Sequence, residues 1–231
     1  MHDILTGSTE RHLCDARGAG LAGARIHRDV LSPFLALQAD AARAGFELAV
    51  VSSFRDFSRQ LSIWNRKARG ELPVLDSDAH PLDIAVLSES DLIHAIMRWS
   101  ALPGASRHHW GTDIDVFDAR TRPDGYEIEL IPEEVESGGM FAPLHEWLDA
   151  RIAQGNAHGF FRPYDRDRGG VAPERWHLSH GPTATRLMDS FSVGTLHATL
   201  EAADLELRST VLDDLEVLWE RYVVNVQRTP E

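Results

Sequence analysis

SRHHWGTDID, residues 106–115, is the stretch on which the reading of this chain turns. His108 and Asp115 are seven positions apart, and Gly111 between them permits a sharp turn. Residues 111–117 alternate in strand fashion, so Asp115 falls on a strand leaving that turn. A second stretch, ERWHLSH at residues 174–180, places His177 on a short strand, with Glu174 three residues earlier and outside it. A hydrolytic zinc site needs three protein ligands of histidine or carboxylate type, an open fourth position for water and a nearby base. His108, Asp115 and His177 can be the ligands, and Glu174 is free to face the water. Either stretch alone recurs often by chance; together they are far more specific.

Outward from these stretches, helices alternate with short strands. Ser32 and Pro33, followed by FLALQADAARAG, predict a helix with Ser32 as N-cap, Pro33 at its first position and Gly45 ending it. Residues 47–52 (ELAVVS) form a short apolar strand, and Asp56 caps a helix bearing Leu61, Trp64 and Ala68. Residues 70–83 read as loop, and residues 91–100 as a third helix. Residues 111–117 and 126–130 are expected to pair as strands across ARTRPDG. Residues 143–153 are helical, while 159–164 and 176–179 are short strands. From Thr183 to Val224 the text is helical, with Leu212, Leu215, Leu218 and Trp219 as an amphipathic stripe. That stripe either packs on the domain or forms a homodimer interface, and the sequence does not choose. The expected fold class is α+β, with a main domain over residues 1–181 and a helical C-terminal extension, 182–231, packed on it.

Composition narrows the function. At 231 residues, with 43% hydrophobic and 26% charged side chains, the chain can bury a core and is neither disordered nor fibrous. A formal charge of −13 argues against a nucleic-acid groove and against docking on an anionic membrane. The first thirty residues hold no apolar run of a signal peptide, and no stretch of about 20 apolar residues is present to span a bilayer. Cys14 has no second cysteine to pair with, which fits a reducing compartment. A cytoplasmic location is the expectation. Twelve histidines against three tyrosines invite a search for a metal or acid–base site.

The ordered motifs resemble a family. S-x-H-x-x-G-x-A-x-D followed by E-x-W-H is the signature of the VanY-like zinc D-alanyl-D-alanine carboxypeptidases, whose fold is shared with D-Ala-D-Ala dipeptidases and the Hedgehog signalling domain. Ser106, His108, Gly111 and Asp115 match the first motif; Glu174, Trp176 and His177 match the second. Ser53, Phe54 and Arg55, with Gln60 five residues on, resemble the family's SGYRxxxxQ stretch, and residues 160–164 resemble its GFxxRYP segment. The likeness runs from about Leu31 to His180. It implies a small antiparallel sheet flanked by helices, one zinc ion on His108, Asp115 and His177, and Glu174 as general base. It also implies substrate contacts from Arg55, Gln60, Ser106 and Arg162. Arg55 offers a planar two-donor fork for a C-terminal carboxylate.

The chain departs from the pattern in places. The family's small residue before the Asp ligand is Asp113 here. Residues 113 and 115 of a strand share a face, so Asp113 either crowds the site or braces a ligand. Arg162-Pro163-Tyr164 inverts the family's Arg-Tyr-Pro. His109 reads as a supporting or surface residue, and Trp176 as core or pocket wall.

The implied substrate is a peptidoglycan-derived peptide. In the expected compartment, trimming pentapeptide precursors would deplete material for cross-linking, whereas recycled stem tetrapeptides are an available pool. The expected activity is therefore a zinc L,D-carboxypeptidase of murein recycling that removes the terminal D-Ala of tetrapeptides. The alternatives are a D,D-carboxypeptidase on D-Ala-D-Ala ends and a non-catalytic zinc-containing muropeptide-binding module. A general base at Glu174 argues against the module.

Overall fold

Period-two alternation in two strands organises the molecule. The computed structural model describes residues 1–16 and 23–228. In chain order these form α1 (His2–Leu5), β1 (Leu13–Asp15), β2 (Arg25–His27), α2 (Arg28–Arg43), β3 (Leu48–Ser52), α3 (Phe57–Ala68) and α4 (Glu89–Trp99). There follow β4 (Asp113–Asp118), α5 (Pro132–Val135), α6 (Ala142–Ala153), β5 (Phe160–Phe161) and β6 (His177–His180). The chain then runs through α7 (Gly181–Asp189), α8 (Val193–Glu201), α9 (Arg208–Asp213) and α10 (Leu215–Leu218) to a π turn, Trp219–Val223. β1 and β2 form one antiparallel pair, and β3-β4-β6-β5 form a four-stranded antiparallel sheet. The architecture is α+β.

Ile114 and Val116 of β4 and Leu178 of β6 face one side of this sheet. There they join Phe34 and Leu37 of α2 and Leu144 and Leu148 of α6 in one apolar core. The alternate residues Asp113, Asp115, His177 and Ser179 take the opposite face and are also buried. A second core joins Trp64 of α3, Ile93 and Ile96 of α4, and Leu196, Val211, Leu215 and Leu218 of the C-terminal helices. The amphipathic stripe of the tail is consumed here: Leu215, Leu218 and Trp219 are buried, and Leu212 packs against them. Among the described residues, no helix is long and apolar enough to cross a membrane.

Three local expectations are corrected. α2 begins a turn before Ser32, with Pro33 inside it, and the His27 ring accepts the Asp29 N–H at 3.1 Å as its cap. The earlier start buries Val30 on the face of Phe34 and Leu37. Burial of such a side chain stabilises by about 1.5–3 kcal/mol and the cap adds about 1 kcal/mol, which together offset the roughly 3 kcal/mol that a proline inside a helix costs through its lost hydrogen bond and ring clash. Residues 126–130 form no strand. Glu134 captures them instead: its carboxylate accepts the Glu129 and Leu130 N–H groups, each at 2.9 Å, and the Tyr126 hydroxyl at 2.8 Å. β4 pairs with β3 and β6. The strand expected over 159–164 is only the two residues of β5.

Gly111 makes the turn into β4. Its φ is +65°, and a Cβ there would lie 2.6 Å from Leu13 Cδ2 and 2.9 Å from the His27 backbone nitrogen. Gly125 has φ +75° with nothing within 4 Å, so Gly125→Ala is the matched control for backbone strain alone. Urea unfolding is expected to give a loss of about 1 kcal/mol for Gly125→Ala and at least about 2–3 kcal/mol for Gly111→Ala. Equal losses would contradict a close approach at Gly111.

Candidate metal centre

Strand register builds the site. β4 and β6 pair with Asp115 opposite His177 and Asp113 opposite Ser179. Side chains opposed on one face of an antiparallel pair stand about 5 Å apart at Cβ, close enough to share an ion. His108 arrives from the 3-10 turn Arg107–Trp110, which Gly111 reverses into β4. Asp115 Oδ1 lies 3.2 Å from His177 Nδ1, and Asp115 Oδ2 lies 3.4 Å from His108 Nε2. One ligand atom from each of the three residues falls within 4.8 Å of the others. Glu174 Oε2 stands 3.4 Å from His177 Nδ1.

The donor set fits a divalent cation. His108 Nδ1 is 2.9 Å from the Ser53 carbonyl, which can only accept, so the proton sits on Nδ1 and Nε2 is bare. His177 Nε2 likewise donates to the Asp113 carboxylate at 2.9 Å, which leaves Nδ1 facing the cluster. His177 Nδ1 and Asp115 Oδ1 are buried without a hydrogen-bond partner. Buried polar atoms are rarely left so, and an ion held by two imidazoles and a carboxylate would satisfy both. Burial alone would depress the His177 pKa. Its contacts with Asp113, Asp115 and Glu174 outweigh that and hold it well above the ordinary value, so the pocket favours a cation at this nitrogen. Burial drives His108 down to about 4, with Asp115 opposing. Burial also raises Glu174, against its bond to His177, towards the range useful for a group that both takes and returns a proton.

Asp113 braces rather than crowds. Its Oδ1 accepts from His177 Nε2 and from Arg107 Nε at 2.7 Å, and its Oδ2 accepts from the Thr112 hydroxyl at 2.6 Å. Arg107 also donates to the Ser179 hydroxyl at 2.7 Å. Burial opposes a charge on Asp113, yet Arg107, His177 and Thr112 hold its carboxyl far below the usual range. Ligand histidines are commonly oriented through such an outer carboxylate.

A cavity of about 300 Å³ opens from the cluster, with Arg55, Ser106, Tyr164 and Glu174 in its wall. A bulge after Val50 in β3 leads into the segment that carries Arg55. The Arg55 N–H donates to the His108 carbonyl at 3.2 Å, and the Arg55 carbonyl accepts from His109 Nδ1 at 2.6 Å. His109 Nε2 accepts the Gly104 N–H at 3.0 Å, so this fully buried ring is neutral and spent on positioning. Gln60 is buried and absent from the cavity wall; it accepts from Arg55 Nη1 at 2.9 Å and donates to the Ala101 carbonyl at 2.7 Å. Gln60 therefore orients Arg55. The Ser106 hydroxyl makes no hydrogen bond among the described residues and lines the cavity.

Arg162, expected at the substrate, is placed elsewhere. Its Nε donates to Asp149 of α6 at 2.7 Å, beneath which it is buried, and it does not line the cavity. Asp149 also takes Arg175 through Nε and Nη2, and so anchors both ends of the segment between Tyr164 and Glu174. Tyr164 reaches the cavity instead, its ring 5.1 Å from that of His177. Sequence reasoning did not find Arg107, Thr112 or Asp149. The repeated aspartate of D-I-D was the one visible signal of a brace. A second trio, Asp76, Asp78 and His80, also lies close enough to hold an ion. Asp76 Oδ1 there already accepts the Asp78 and His80 N–H groups of its own turn.

Comparison with known proteins gives one family. The family model described as "VanY: D-alanyl-D-alanine carboxypeptidase" matches residues 23–183. An uncharacterized protein of Haemophilus influenzae is 40% identical over 100 residues, 43% of this chain and 68% of that protein. Another from the same organism is 31% identical over 125 residues, 53% of this chain and 93% of that protein. Among solved structures, a zinc-bound variant of the VanY D,D-pentapeptidase from a VanB-type vancomycin-resistance cassette has 24% identity and a TM-score of 0.48, over 72% of this chain and 79% of that one. The LdcB LD-carboxypeptidase has 19% identity and a TM-score of 0.45, over 85% and 69%.

Asp113→Asn is expected to weaken zinc binding by about 10–100-fold, the usual effect of removing an outer-shell carboxylate. Competition against a chromophoric chelator measures this. Unchanged affinity in a folded variant would remove Asp113 from the metal's support.

Proposed function

The chain belongs to the VanY family of D-alanyl-D-alanine carboxypeptidases, and from that premise we propose that it is a zinc-dependent carboxypeptidase acting on peptidoglycan stem peptides. One observation carries the reading: His108, Asp115 and His177 converge within 4.8 Å at the head of a cavity that also holds Glu174 and Arg55. Bound there, a zinc ion would supply Lewis-acid polarisation of the scissile carbonyl and acidify water.

The chain's own groups divide the remaining work. Arg55, its backbone clamped by the His108-His109 turn and its guanidinium held by Gln60, presents a planar fork to the substrate's C-terminal carboxylate. Ser106 adds a hydroxyl to the same end. Glu174 takes a proton from the attacking water and delivers it to the leaving amine nitrogen. Its backbone N–H is held by the Tyr164 carbonyl at 3.0 Å, which fixes the carboxylate beside His177. A small cavity with a carboxylate clamp supports removal of a terminal residue over cleavage within a chain.

In the finer proposal the enzyme is an L,D-carboxypeptidase that releases D-Ala from stem tetrapeptides. The second reading is a D,D-carboxypeptidase, which the family's own description favours. A non-catalytic muropeptide-binding module would have no use for Glu174 poised beside the cluster.

Mass spectrometry of a mixed tetrapeptide and pentapeptide pool, with and without chelator, tests all three. D-Ala release from tetrapeptide that stops with chelator is the expected result; release from pentapeptide alone sinks the L,D proposal. Glu174→Gln is expected to lower kcat by about 10²–10⁴-fold while zinc is retained. Full turnover in that variant would refute the assigned base, and no chelator-sensitive turnover by wild type would favour the module.

A further inference from the structure

Glu174 stands outside the strand register that fixes two of the metal ligands. β4 and β6 place Asp115 and His177, but Glu174 lies three residues before β6 and no strand holds it. It closes the loop that leaves β5 after Phe161 and passes through Tyr164 in the cavity wall. The Glu174 N–H donates to the Tyr164 carbonyl at 3.0 Å, so the two ends of this loop meet at the cavity.

An arginine flanks each end. Arg162 comes two residues before Tyr164, and Arg175 directly follows Glu174; neither lines the cavity. Both turn to one carboxylate, that of Asp149 on α6. Asp149 Oδ1 accepts from Arg162 Nε at 2.7 Å, and Oδ2 accepts from Arg175 Nε at 2.9 Å and Nη2 at 2.6 Å. Arg175 Nη1 also donates to the Val135 carbonyl at 2.6 Å. Leu148, next to Asp149, is buried in the core under the sheet, so this carboxylate projects from a fixed base.

The two partners differ in burial: the Asp149 side chain is 41% exposed and that of Arg162 only 6%. A pair with one member in solvent adds little stability by itself. Without Asp149, however, the buried guanidinium would have no ion-pair partner among the described residues, and its Nη1 already lacks a hydrogen bond. An uncompensated buried charge must move towards water, and the chain beside Tyr164 would move with it.

We propose that Asp149 is a positioning residue for catalysis, which holds the Glu174 carboxylate beside the metal cluster through Arg175 and Arg162. The inference rests on the carboxypeptidase reading and on Glu174 as its base. Arg162 thereby serves turnover without touching substrate. Asp149 bears on the base and not on the metal ligands or on Arg55, so its loss should act on kcat alone. The rest of the loop has its own ties. Arg98 pairs with Asp167 at 2.6 Å, and Arg221 and Asn225 donate to the Gly169 and Arg168 carbonyls at 2.6 and 3.0 Å. Loss of Asp149 therefore frees the ends of the loop and leaves its middle in place.

The test uses zinc-loaded full-length protein with a stem tetrapeptide and a stem pentapeptide, each ending in D-Ala. Asp149→Asn and Arg175→Ala are each expected to lower kcat by about 10–100-fold, with KM and zinc affinity within about threefold of wild type. Arg151→Ala is the control: it removes another ion pair of α6, to Asp40 at 2.6 Å, and should leave kcat unchanged. In a Glu174→Gln background, Asp149→Asn should cause no further loss, because the group it places is already gone. A purely structural role would lower residual turnover in that background as well. Wild-type kcat in either folded single variant would overturn the proposal, and so would an equal further loss in the Glu174→Gln background. Should Asp149→Asn fail to fold, Arg175→Ala, at a half-buried position, decides alone. Failure of wild type to release D-Ala from either peptide, or full turnover by Glu174→Gln, would instead overturn the reading beneath it.

Discussion

The register of β4 against β6 is the constraint on which the rest depends. Asp115 stands opposite His177 and Asp113 opposite Ser179, while Ile114 and Leu178 pair towards the core. A slip of one residue would turn every side chain of a strand to the other face. It would bury two aspartates in the apolar core with α2 and α6, and expose Ile114 and Val116 to the cavity. The apolar cost of that slip locks the register, and the register in turn places a carboxylate and an imidazole together on the opposite face.

A polar face so deeply buried must be satisfied in full. Asp113, Arg107, Thr112 and Ser179 do this for one side of His177, and the Ser53 carbonyl does it for His108. The atoms left over, His177 Nδ1 and Asp115 Oδ1, point towards each other. The net charge of −13 is a property of the whole surface. The anionic end of a peptide would be met locally, by Arg55 within an otherwise acidic protein.

Much of this was legible in the chain. Strand alternation and the spacing of His108, Asp115, Glu174 and His177 need only local sequence, and so do the Asp56 cap and the Gly111 turn. What escaped depends on distant partners. Residues 126–130 alternate like a strand, but Glu134 binds their N–H groups first. Arg162 sits in a motif expected to touch substrate, yet Asp149 of a separate helix draws it away. Ser32-Pro33 reads as a helix start, but the burial of Val30 pulls that start back by a turn. The position of the C-terminal stripe depends on the core formed with α3 and α4, which periodicity cannot show.

Zinc-edge X-ray absorption of the metal-loaded full-length protein tests the central claim most directly. A site held by His108, Asp115 and His177 requires a first shell of nitrogen and oxygen alone at about 2.0–2.1 Å, with scattering from two imidazole rings. A sulfur scatterer at about 2.3 Å, or a shell without imidazole, would place the ion elsewhere and contradict the account.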